Sequence, residues 1–101
     1  GAAQMQLAMN PRLEKSPKYR AAGSSEWEDV DWDWAMEWFA RKFKDARDAT
    51  FVEEDDQGRT VNRCEGIGWV GSATVTNEDA YLITKTMRTM GLVYIDHQAR
   101  I

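Results

Sequence analysis

Four of the chain's five tryptophans, Trp27, Trp32, Trp34 and Trp38, fall within a single twelve-residue stretch. Each such ring brings about 150–250 Å² that prefers to leave water. A domain of 101 residues can hide only roughly 65% of its unfolded surface. The chain therefore either leaves some of these rings exposed or relies on another part of a larger protein to cover them.

Composition narrows the partners. The chain is 43% hydrophobic and 30% charged, ordinary values for a globular protein. Thirteen basic and seventeen acidic residues leave a net charge of −4. Eight of the thirteen basic residues, Arg12, Lys15, Lys18, Arg20, Arg41, Lys42, Lys44 and Arg47, lie among acids or in the tail, which argues against a concentrated basic face to bind nucleic acid. The lone Cys64 excludes an internal disulfide. With the single His97 it cannot supply the three or four nitrogen and sulfur ligands of a zinc site. No apolar run approaches the ~20 residues of a membrane span.

Residues 1–25 carry both prolines, Pro11 and Pro17, and Gly23-Ser24-Ser25, with no sustained periodicity. They read as an extended arm or linker, mobile alone or strapped onto a partner surface. Asp31 is a good N-cap for a helix over 32–47, with Asp33 in its first turn and Lys42, Lys44 and Arg47 toward its end. Trp32, Ala35, Met36, Phe39, Phe43 and Ala46 give that helix one apolar stripe, read as core. Thr50-Phe51-Val52 and Thr60-Val61 flank an acidic turn in which Gly58 takes positive φ, a β-hairpin pattern. The run from Gly66 to Ser72 reads as a buried strand entering a small-residue loop. Thr76 or Asn77 caps a second helix with an Ala80, Ile83, Met87, Met90 stripe, closed by Gly91. Leu92-Val93-Tyr94-Ile95 is the next buried strand. Strand, helix and strand in this span make a right-handed parallel βαβ unit. The fold class is α/β: an arm over 1–25, then a partial domain over 26–101 with a helix, a hairpin and one βαβ unit.

Several patterns tempt a functional reading. Glu53-Glu54-Asp55-Asp56 lacks the ligand spacing and closing glutamate of a calcium loop, which favours a solvated turn. Gly66, Gly68 and Gly71 spell the dinucleotide-binding fingerprint. However, Trp69 and Val70 interrupt it as strand residues and the helix starts too late, so glycines admitting close backbone approach are favoured. Cys64, beside Glu65 and Arg63, reads as a buried inert thiol. His97 has only Asp96 as a local acid; it either faces solvent or lines a site completed elsewhere. Gly71-Ser72 followed by Thr76-Asn77-Glu78 is the best anion candidate, a strand end leading to a helix N-terminus with unpaired N–H groups. Every βαβ unit has such a turn, so physics alone favours plain structure there.

Six segments add a resemblance: Lys18-Tyr19-Arg20-Ala21-Ala22-Gly23-Ser24 with Trp27-Glu28; Trp32-Asp33-Trp34-Ala35; Arg47-Asp48-Ala49-Thr50-Phe51; Thr60-Val61-Asn62-Arg63-Cys64; Asn77-Glu78; and Asp96-His97-Gln98-Ala99-Arg100-Ile101. In this order, over 18–101, they resemble the selenocysteine-containing formate dehydrogenase alpha subunits of the molybdopterin oxidoreductase superfamily, most closely the periplasmic type. The resemblance implies two-electron oxidation of formate to CO2, or its reverse. It also implies molybdenum or tungsten held by two pterin-guanine dinucleotides and a selenocysteine, a [4Fe-4S] cluster, and an iron–sulfur beta subunit as partner. Gly71, Ser72, Asn77 and Glu78 are then cofactor-loop contacts, and His97, Gln98 and Arg100 flank the metal pocket. The family's cysteine cluster and its selenocysteine are absent from these 101 residues. The expectation is therefore a piece of the catalytic subunit that ends just before the selenocysteine. Such a piece holds no cofactor, is inactive alone, and belongs with the remainder of the alpha subunit. The location implied is periplasmic, with the cytoplasm as the other choice.

The rival reading is a self-contained acidic α/β interaction module using exposed Trp and Met as a binding patch. The two differ in burial: a module covers its own tryptophans, and a piece of something larger does not.

Overall fold

The computed structural model describes residues 1–97, and Gln98 and Arg100 lie outside that range. The chain forms two compact units, Gly1–Ala40 and Arg41 onward. The fold is of mixed helix and strand with two small sheets.

In the first unit a helix, α1, spans Ala2–Ala8, where the sequence suggested extended chain. Its alanines, Met5, Gln6 and Leu7 are strong helix formers and no Gly or Pro interrupts them. Propensity, rather than an amphipathic period, makes this helix. Strand β1 (Lys18–Tyr19) pairs antiparallel with β2 (Glu28–Asp29). Lys18 Nζ meets Asp29 across the ladder at 2.6 Å. Helix α2 runs Trp32–Thr50, its residues from Arg41 on belonging to the second unit. Asp31 caps it as expected, its Oδ1 accepting from Trp34 N at 2.7 Å. Nothing in the sequence breaks the helix at residue 47, and it continues to Thr50, whose hydroxyl donates back to the Ala46 carbonyl at 2.7 Å. Tyr19 meets Trp34 and Trp38 edge-on, with centroids 5.0 and 5.6 Å apart. The tryptophan cluster therefore divides by degree: Trp34 and Trp38 turn toward Tyr19, Trp34 still partly open, while Trp27 and Trp32 are the more exposed.

The second unit is built on one strand. Strands β3 (Phe51–Glu54) and β4 (Thr60–Gly71) form the expected hairpin. The two β-prone runs around residues 60–61 and 66–71 are a single strand of 12 residues. At the turn Asp55 Oδ1 accepts from the backbone N–H groups of Gln57 and Arg59, both at 2.9 Å. Its Oδ2 accepts from Arg59 Nε at 2.7 Å, and Gly58 has φ +73°. The acidic run is thus a hydrogen-bonded turn. Helix α3 (Asn77–Thr89) crosses over to β5 (Leu92–His97), which lies parallel to β4, giving the sheet order β3-β4-β5. Thr76 is the cap, in a reciprocal box with Asp79. The glycine pattern sits wholly within β4. A methyl on Gly66 would lie 2.4 Å from Thr50 Oγ1, so close approach explains that residue.

Among the described residues only Cys64 and Leu92 are fully buried, and they are register partners on β4 and β5. The helix stripes expected as core are largely open: Met36, Phe39 and Met90 are exposed. Gly91 turns the chain from α3 into β5 at φ +90°. A Cβ there would meet both Asn62 O and Phe51 Cε2 at 2.9 Å. Gly91→Ala should destabilise the chain by about 1–3 kcal/mol, read as a lowered denaturant midpoint. Asp55's carboxyl titrates below its ordinary range because Arg59 bonds its charged form. Its stabilising share is present above the unfolded carboxylate value, about 3.9. That share is lost as pH falls through the lower folded one. The stability gap between the native chain and Asp55→Asn, followed by urea titration, should therefore hold at neutral pH and narrow as the solution is acidified below about 3.9.

Candidate cofactor-contact cleft

A cleft of about 650 Å³ opens at the carboxyl ends of β4 and β5, along one side of α3. Open α/β sheets take ligands at such a position, and the volume falls in the range of small-molecule sites. Each wall follows from local sequence. Gly71 ends β4 directly opposite His97 in the parallel register. A Cβ on Gly71 would touch His97 Cβ at an ordinary 3.6 Å but stand a tight 3.2 Å from Trp69 Nε1, so the indole would have to give way slightly. Ser72 starts the loop, its hydroxyl 2.8 Å from that of Thr74 and accepting from Thr74 N at 3.2 Å. Thr76 Oγ1 accepts from Asp79 N at 3.2 Å, while Asp79 Oδ2 accepts from Thr76 N at 3.4 Å. These bonds fix the direction in which α3 begins.

Of the residues singled out in the sequence, Gly71, Ser72, Asn77 and His97 all line this cleft. Glu78 sits in the first turn of α3 but is not among the lining residues. Gln98 and Arg100 lie outside the described residues. Trp69, Thr84, Arg88 and Asp96 line the cleft and were not foreseen. A signal for the two helix residues was present: Thr84 and Arg88 follow Ala80 at four-residue spacing and share one face of α3 with Asn77. Arg88 is tied down, donating from Nη1 to the carbonyls of Leu92 at 3.0 Å and Val93 at 3.2 Å. On the other side His97 N donates to Asp96 Oδ1 at 2.8 Å.

The donor set is hydroxyl, amide, guanidinium and the N–H groups of a helix start, beside an indole wall. That chemistry fits a polar, phosphorylated group with a planar ring. It fits as one wall, because a pair of pterin-guanine dinucleotides is several times larger than the drug-sized ligand such a cleft accommodates. Among the described residues no three His, Cys, Asp or Glu side chains gather as metal ligands. Also among them, no helix is long and apolar enough to cross a membrane.

The arrangement defines a partial α/β fold with a cleft at the ends of its two parallel strands. Over its whole length the chain belongs to the family of formate dehydrogenase alpha, or major, subunits. It is 46% identical over 101 residues to formate dehydrogenase subunit alpha of Megalodesulfovibrio gigas. It is 43% identical over 101 residues to formate dehydrogenase 2 subunit alpha (cytochrome c-553) of Nitratidesulfovibrio vulgaris. To the formate dehydrogenase-O major subunit of Escherichia coli it is 37% identical over 87 residues, 86% of the chain and 9% of that subunit. The first two matches take in all of the chain and 10% of each relative, so the chain spans about a tenth of the curated relatives it matches. No family model matches the chain. Removing the cap by Thr76→Ala should cost about 1 kcal/mol. Reduced helical circular dichroism and a lower unfolding midpoint would show it.

Proposed function

We propose that these residues form one wall of the pterin-guanine dinucleotide site in a formate dehydrogenase catalytic subunit. The whole-length match at 46% identity carries this reading. The cleft gathering Gly71, Ser72, Asn77 and His97 supports it, and so does the poor coverage of the apolar residues. Trp27 and Trp32 are among those left exposed.

In the whole subunit, formate would lose two electrons and a proton to become CO2. When bound, the molybdenum or tungsten pterin group supplies the acceptor for those electrons, and a [4Fe-4S] cluster and an iron–sulfur beta subunit carry them onward. This segment's part is binding and orientation. Asn77 and the first N–H groups of α3 offer hydrogen bonds to phosphate oxygens. Ser72 adds a hydroxyl. Glu78 is an acceptor and suits amino or hydroxyl groups of the cofactor instead. Gly71 keeps the floor low enough for close approach. His97, with Gln98 and Arg100 after it, flanks the metal pocket, where a guanidinium suits phosphate or oxo groups. A selenocysteine following Ile101 would complete the metal's ligands. The segment alone is inactive, and the enzyme works in the periplasm.

The test is made on the whole alpha subunit. It should carry molybdenum or tungsten and pterin, and reduce an artificial acceptor with formate. Asn77→Leu should lower the pterin content severalfold in subunit that still folds. A subunit carrying metal and pterin that leaves formate untouched overturns the assignment, and full pterin content in Asn77→Leu overturns the role of the cleft.

A further inference from the structure

Helix α2 is apolar on two sides over its first half. On one side Trp34 and Trp38 stack with ring centroids 6.4 Å apart, against Tyr19. On the opposite side Trp32, Met36 and Phe39 follow at four- and three-residue spacing. Those three are 62%, 59% and 54% exposed. A helix that is apolar on more than one face belongs in an interior. The open face is also ordered in advance. Trp32 Nε1 donates to the Lys15 carbonyl at 3.3 Å, which satisfies the indole's one polar atom and leaves its ring outward.

We infer that this face of α2 is the seat of another apolar segment of the same alpha subunit, from the part of the polypeptide not contained in these residues. One observation selects that occupant. The curated relatives are about ten times as long as this chain, which makes up 10% of the first of them, so covering chain is at hand. A segment tethered to the same polypeptide meets the face at a high effective concentration, an advantage that a free partner or a second copy lacks. The inference rests on the reading of the chain as part of a longer subunit.

Hydroxyl-radical footprinting of the purified whole alpha subunit tests it, with formate turnover measured on the same sample. Trp32 and Met36 should be labelled at least about tenfold more slowly than in the urea-unfolded subunit. Ready labelling of both in the folded subunit overturns the inference. So does protection that arises only on adding the beta subunit, which would make the face a subunit interface. Protection that vanishes on dilution, together with a dimer's mass, assigns the face to a second copy and overturns it as well. The two readings fail separately. An active subunit with both residues labelled removes the packing and leaves the enzyme, and an inactive, pterin-free subunit with both protected does the reverse.

Discussion

Everything in the second unit hangs on the pairing of β4 with β5 at Cys64 and Leu92. These two are the fully buried residues of the described chain, and Cys64 N donates to the Gly91 carbonyl at 2.7 Å just where β5 begins. The first half of β4 carries the antiparallel hairpin, and its second half carries the parallel strand. Cys64 is where one duty passes to the other. Gly91 has to be glycine for the same reason, since the strand start presses against Asn62 and Phe51. Arg47 closes the corner, donating from Nε to the Met90 carbonyl at 2.8 Å with its guanidinium 4.2 Å from the Phe51 ring centroid. The cleft exists because this junction sets how β5 and α3 leave β4.

A junction of that kind is tight but small. Parallel strands are normally covered on both faces, and here a short sheet of three strands has one crossover helix. Val70 and Tyr94 lie open on it. The same deficit recurs in the first unit, where α2 shows apolar side chains to solvent. The shortfall has a simple physical source: the sequence patterns belong to a core larger than the chain can build. Hydrophobic burial is the main favourable term in folding, and it is under-supplied throughout.

Much of this was legible in the residues because local signals agreed with one another. Asp31, the capping box of Thr76 and Asp79, and the positive φ of Gly58 and Gly91 each need one residue type at one place. The βαβ unit and the position of the cleft at its strand ends followed from periodicity and the turn. Other features were not legible. Helix α1 has propensity without amphipathic spacing. The continuity of β4 through Asn62, at φ +44°, and through Gly66 and Gly68 is decided by its partners on both edges. Arg88 entered the cleft through its bonds to the Leu92 and Val93 carbonyls, contacts that only the folded chain brings together. The stripe residues read as core because a stripe specifies a face to cover and says nothing of whether the cover is present.

The central claim is that these residues are a wall of something larger and cannot make a self-sufficient domain. Urea unfolding of the isolated chain, followed by tryptophan emission, tests it most directly. Red-shifted emission in buffer is the predicted result, with a broad transition whose slope falls well below the about 1–3 kcal/mol/M of small two-state proteins. A monomer with blue-shifted emission and one sharp transition of full slope would contradict it.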